Sequence, residues 1–182
     1  MNMQRFEESL NYYDLAIQKN PENADYYNGK AITLCKMDQF EVTLKYFDQA
    51  IKYNPQISEY YNNKAITLYK MNKFEKALEQ YNLAISKNTE NSYYYYCKAI
   101  TLHKMNRLEE ALQHHDRAFE LNPEVPDYFN TKAIILSRLN KLNEALEYHD
   151  IAIQKNPENS DYHNCKGRKY IWMISQLILQ KK

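Results

Sequence analysis

Apolar positions in this chain fall at helical spacing within short stretches, and polar pairs separate the stretches. In "YYNNKAITLYKMNKFEKALEQYNLAI" (Tyr60–Ile85), Tyr61, Ala65, Leu68 and Met71 share one face. After a break, Phe74, Leu78, Tyr81, Ala84 and Ile85 do the same. Two amphipathic helices are predicted. Between them, Asn72 stands where the first helix must end, and Asp38, Asn106 and Asn140 hold the same place in similar lines elsewhere. Asp and Asn tolerate the left-handed conformation that ends a helix, so they replace the expected glycine. Nearly the same line begins at Tyr26, and looser versions begin at Tyr94 and Tyr128. One catalytic site needs its residues once. A line written four times predicts a surface built by stacking copies.

The period fixes the organisation. Asn-Pro occurs at Asn20-Pro21, Asn54-Pro55, Asn122-Pro123 and Asn156-Pro157, at multiples of 34 residues, with Asn88-Thr89 at the remaining place. A period of this size is the mark of a solenoid. Proline cannot continue a helix and restricts the residue before it, so it closes the second helix of each copy.

These columns resemble the tetratricopeptide repeat family, whose 34-residue unit is a helix–turn–helix with small and aromatic residues at fixed places. The first-helix columns read Tyr27/Tyr61/Tyr95/Phe129, Ala31/Ala65/Ala99/Ala133 and Leu34/Leu68/Leu102/Leu136. The second-helix columns read Thr43/Ala77/Ala111/Ala145, Phe47/Tyr81/His115/His149 and Ala50/Ala84/Ala118/Ala152. The resemblance implies an all-α fold, a right-handed α-solenoid of antiparallel helix pairs. It predicts a single repeat domain over 1–182, with full repeats at 24–57, 58–91, 92–125 and 126–159. A half repeat precedes them over 1–23. Another half, a capping helix that runs on past Met173 without a turn, follows over 160–182. Alanine fits the small columns because helices of one unit and the next must approach closely.

The resemblance further implies that first helices line a concave groove. It places Asn28, Asn62, Tyr96 and Asn130 there, with Tyr69 and His103, and sets Lys36, Lys70, Lys104 and Arg138 near the helix ends. Asparagine offers both a donor and an acceptor to a peptide backbone. Some family members grip chaperone tails with a basic clamp in this groove. Here the corresponding columns hold Asn28, Ile32, Asn63, Tyr93 and Cys97, so the basic residues of that clamp are missing. Leu10, Tyr13 and Ala16 would leave an apolar stripe partly uncovered at one end, and Gly167, Tyr170 and Met173 would do so at the other. They are halves of one repeat, so end-to-end contact between copies is an alternative role.

Composition and motifs narrow the chemistry. The net charge is +1, which supplies no basic tract for nucleic acid. The apolar run "YIWMISQLIL" (Tyr170–Leu179) is too short to cross a bilayer. Three widely spaced cysteines without a CxxC pair suit a reducing, cytoplasmic setting. Two glycines cannot build a glycine-rich phosphate loop, and no hydrolase or metalloprotease motif occurs. His115 and His149 share a column with Phe47 and Tyr81, which reads as packed rings rather than metal ligands. The expectation is a protein without catalytic residues, cofactor or metal. Its function would be a scaffold or adaptor that binds an extended peptide or helix of a partner protein, with RNA-binding helical repeats and self-assembly as rivals.

Overall fold

A computed structural model describes the backbone of residues 3–179 and the side chains of residues 4–172. Among the described residues there are ten helices and no strand. They are α1 (Met3–Lys19), α2 (Ala24–Lys36), α3 (Phe40–Tyr53), α4 (Ser58–Lys70), α5 (Phe74–Lys87), α6 (Ser92–Lys104), α7 (Leu108–Leu121), α8 (Pro126–Arg138), α9 (Leu142–Lys155) and α10 (Ser160–Leu179). The fold is an all-α repeat solenoid. The chain forms two compact units, 1–97 and 98–182, whose division falls within α6.

In the first unit, consecutive helices from α1 to α5 pack against one another, and α2 also touches α4. In the second unit, α7 packs on α8, α8 on α9 and α9 on α10, and α8 also touches α10. The alanine columns explain how. Ala31, Ala65, Ala99 and Ala133 are fully buried, as are Ala50, Ala84, Ala118 and Ala152. A methyl group there lets two backbones approach where a longer side chain would hold them apart. Aromatic rings fill the wider gaps. Tyr27 stacks on Tyr53 with centroids 5.2 Å apart, and Phe129 meets Phe119 edge-on at 5.1 Å.

The turn inside each helix pair is the one the sequence predicts. Asp38, Asn72, Asn106 and Asn140 have φ of 57°, 57°, 62° and 62°. At Asn72 the next amide, Lys73 N–H, donates to Leu68 O at 2.9 Å, and Asn72 N–H donates to Tyr69 O at 2.9 Å. This pair of hydrogen bonds satisfies the last carbonyls of α4.

The closure of the second helix differs from the expectation. Proline is the predicted stop, yet α5 ends at Lys87 without one, just as α3 ends at Tyr53 before Asn54-Pro55. The asparagine supplies the turn. Asn54, Asn88 and Asn122 each present the side-chain oxygen to the amide two residues on, at 3.3, 3.1 and 3.4 Å. These are Asx turns, which need no proline.

Charge pairs recur across neighbouring helices, a feature that periodicity alone does not predict. Lys64–Asp48 stands at 2.6 Å and Lys132–Asp116 at 2.8 Å, and Lys30–Asp14 and Lys166–Asp150 are paired alike. Each partner lies sixteen residues away, joining a second helix to the first helix that follows it. The ammonium groups of Lys30 and Lys132 also lie over aromatic rings, 4.5 Å from the Tyr46 centroid and 4.8 Å from that of Tyr148. Burial opposes the charge on Lys30, yet hydrogen bonds to Asp14 and Tyr46 raise it above the ordinary lysine range.

Candidate functional site

Within the first unit, α2, α4 and the start of α6 carry the residues expected in a groove. Asn28 is 9 % exposed and Asn62 4 %, so both are buried and present little surface. Asn63 Nδ2 donates to Asn28 Oδ1 at 3.2 Å, which ties the amides of neighbouring first helices to each other. The expectation of an open asparagine column therefore does not describe these two positions. The tyrosines are the accessible part. Tyr69 and Tyr96 are half-buried and Tyr93 is 48 % exposed, and the rings of Tyr93 and Tyr96 lie 6.3 Å apart. Tyr69 packs on Phe74 at 5.5 Å, and burial raises its phenol above the ordinary range. Lys36 and Lys70 are exposed at their helix ends. The acid at the start of α2 is occupied, because Tyr60 Oη donates to Asp25 Oδ1 at 2.5 Å.

Within the second unit the same face has another chemistry. His103 is half-buried, and its Nε2 is enclosed without a hydrogen-bond partner. Burial, then the charges of Arg138 and Lys104, lower its pKa. Lys104 and Arg138 are exposed, and Arg138 Nη2 donates to Asn106 Oδ1 at 2.8 Å. Asn130 is half-buried and bonded to His149 Nδ1 at 3.1 Å. His149 and His115 are enclosed rings, as their shared column with Phe47 and Tyr81 predicts. Burial pushes each imidazole down to about 4, so both are neutral near pH 7. The neutral His149 ring can donate its Nδ1–H to the Asn130 oxygen. Here α8, α9 and α10 surround a cleft of about 370 Å³, to which Cys165, Arg168, Lys169 and Trp172 contribute. The apolar pattern of α10 gives no sign of Arg168 and Lys169 in the sequence.

Of the residues expected in an end-to-end contact, Leu10 and Ala16 are half-buried, and the Tyr13 ring lies against Gly29, where an added Cβ would stand 2.4 Å from it. Gly167 and Tyr170 are exposed, and the Met173 side chain lies outside the described residues. Among the described residues, no group of three His, Cys, Asp or Glu is placed to hold a metal. No described helix is long and apolar enough to cross a membrane.

The family model described as "Psidin, N-terminal TPR repeats region" matches residues 68–175, and the model "Tetratricopeptide repeat" matches residues 46–79. The chain belongs to the tetratricopeptide repeat family. No curated protein matches the sequence. Among solved structures, MamA 41-end from Desulfovibrio magneticus RS-1 superposes with a TM-score of 0.77 at 18 % identity, covering 85 % of this chain and 87 % of that one. TTC0263, a thermophilic TPR protein of Thermus thermophilus, gives 0.74 at 17 % identity, covering 93 % and 92 %. YrrB, described as a TPR protein with an unusual peptide-binding site, gives 0.72 at 22 % identity, covering 88 % and 83 %. At these identities the likeness is one of fold. It shows that the helix pairs of this chain stack as tetratricopeptide repeats do.

Proposed function

We propose that this tetratricopeptide repeat protein is a non-catalytic scaffold or adaptor, which holds an extended segment of a partner protein on the faces of its first-type helices. The observation that carries the reading is the accessible tyrosine group of the first unit, Tyr69, Tyr93 and Tyr96. Large amphipathic rings held on rigid helices give contact area at little entropic cost. YrrB, a protein of this fold, is described with a peptide-binding site, which supports the reading without identifying a ligand. Among the described residues no disulfide joins Cys35, Cys97 or Cys165, which fits a reducing compartment such as the cytoplasm. Selection from a random peptide library on the full chain, followed by fluorescence anisotropy of enriched peptides, tests the proposal. A Tyr69→Ala/Tyr93→Ala/Tyr96→Ala variant with an unchanged melting curve should bind those peptides more weakly. Failure to enrich any sequence, or binding that ignores all three substitutions, would remove the tyrosine surface from the reading.

Self-association is a second reading, favoured by apolar side chains left open on α1 and α10. Tyr12, Leu15 and Ile171 are 67 %, 53 % and 69 % exposed. Sedimentation velocity checks it. Mass should grow with concentration, and Tyr170→Glu or Leu10→Glu should abolish the growth. A single monomeric species in all three proteins would end it.

A further inference from the structure

The cleft in the second unit has a composition that the tyrosine surface does not share. Its lining includes the apolar Ile134 from α8 and Trp172 from α10 together with three cations, Arg138, Arg168 and Lys169. Among the described residues, none of these three cations has a carboxylate within ion-pair distance. Other lysines of the fold, such as Lys132 and Lys166, are paired with an aspartate. Lys169 instead lies over the Trp172 ring, 5.6 Å from its centroid, and burial lowers its pKa with no opposing charge. One further group is unsatisfied. Ser137 is only 7 % exposed and lines the cleft, and its hydroxyl oxygen is enclosed without a hydrogen-bond partner. Hydroxyls elsewhere on first-type helices bond back to their own backbone, as Thr33 Oγ1 does to Gly29 O and Thr67 Oγ1 to Asn63 O, each at 3.0 Å. Ser137 does not. A buried hydroxyl without a partner is costly unless something supplies one.

We propose that this cleft docks an acidic segment of the partner protein. An apolar side chain would lie over Ile134 and Trp172, and carboxylates would meet Arg138, Arg168, Lys169 and the Ser137 hydroxyl. The proposal rests on the scaffold reading above and names the chemistry of the partner at a second place. Charge complementarity selects the occupant. Three cations without a carboxylate partner, of which Arg138 also donates to the Asn106 side chain, suit one or two carboxylates, and arginine offers them a planar fork of donors. A nucleic acid is the poorer fit. Its phosphates need a continuing basic tract, whereas the first turns of α8 and α10 carry Asp127 and Asp161.

Trp172 is the single tryptophan of the chain, so its fluorescence reports on this cleft alone. The test uses the full chain and three probes: a blocked peptide alternating leucine with glutamate, its glutamine counterpart, and a short oligouridylate. The glutamate peptide should change Trp172 emission saturably and lose affinity as salt rises. The glutamine peptide should not. Arg138→Gln/Arg168→Gln/Lys169→Gln changes exposed or half-exposed heads and should weaken binding by roughly tenfold or more. Library selection on this variant should lose the acidic consensus seen on the wild type. Equal response to the glutamine peptide, or an unchanged consensus, would overturn the proposal. A tighter response to oligouridylate would overturn it too. If enriched peptides depend on Tyr69, Tyr93 and Tyr96 but ignore the three cations, the acidic cleft fails while the scaffold reading stands. If no peptide is enriched and none moves the emission, both fail.

Discussion

The two units carry the same helix pairs with different chemistry in matching columns. In the first unit the second-helix ring is Phe47 or Tyr81, and in the second it is His115 or His149, all of them buried. On the first-helix face, the column of Tyr69 reads His103 and Ser137 in the second unit, and Arg168 and Lys169 stand where the first unit has Ile66 and Thr67. The backbone does not register the change. Turns keep the same φ, and the alanines remain buried throughout. The comparison separates two roles within one repeat. Small and left-handed positions build the stack, and the positions between them are free to set charge, pH response and partner.

The largest consequence concerns acid. His115 and His149 titrate near 4 in the folded protein and near 6.5 when unfolded. Between those values the unfolded chain binds more protons, so stability falls as pH drops from about 6.5 towards 4. Above about 6.5 it is unaffected by these rings. Each ring contributes at most roughly 3 kcal/mol, since a tenfold change in proton affinity is worth about 1.4 kcal/mol. Hydrogen exchange at pH 7 and pH 5 should show protection lost mainly in residues 98–182. His115→Phe should flatten the acid limb, because Phe47 shows that the column accepts that ring. Equal loss of protection in both units would mean that the histidines do not set the difference.

The units should respond alike where they are built alike. Ala84→Leu in the first and Ala118→Leu in the second place a large side chain into fully buried alanine sites. Each should cost about 1–3 kcal/mol through overpacking, measured by thermal unfolding. A mutant that melts like the wild type would show that its column is not a close contact there.

How much of this is legible in the sequence depends on how far apart the interacting residues lie. The left-handed column at Asp38, Asn72, Asn106 and Asn140 can be read because its cause is local. The alanine columns can be read because a period exposes them. The burial of Asn28 and Asn62 cannot, since a helical wheel shows which way a side chain leaves its own helix and not what closes over it. The Lys–Asp pairs are hidden for the same reason. Lys30, Lys64, Lys132 and Lys166 form one column and Asp14, Asp48, Asp116 and Asp150 another, but pairing them requires knowing which helices cross. Arg168 and Lys169 stay inconspicuous because the apolar residues of α10 dominate its pattern.

The glycines give a smaller contrast between the units. A Cβ on Gly167 would meet nothing within 4 Å, so Gly167→Ala should stabilise by about 0.8–1 kcal/mol through helix propensity. The same change at Gly29 forces the Tyr13 ring aside and should return less. In a Tyr13→Ala background, Gly29→Ala should recover the full gain. A double-mutant cycle in urea measures the coupling. No coupling would mean that Tyr13 does not pack on α2 in solution.

The smallest expected effect asks whether proline or asparagine closes the second helix. Asn88 has φ −147° and ψ 98°, close to Asn54 at −141° and 89°, Asn122 at −152° and 89°, and Asn156 at −144° and 81°. Those three precede proline and Asn88 does not, so the backbone at Thr89 is already shaped for one. Thr89 N–H makes no backbone hydrogen bond, and its hydroxyl contact with Glu90 at 3.3 Å is exposed. Thr89→Pro should therefore stabilise the protein by about 0.4–1 kcal/mol, by restricting the unfolded chain rather than by adding a contact. The urea midpoint should rise with an unchanged slope. Asn88→Ala removes the turn's acceptor and should cost about 1 kcal/mol whether or not proline follows. If Thr89→Pro rescued Asn88→Ala completely, proline would be the stop after all, and the Asx turn only its companion.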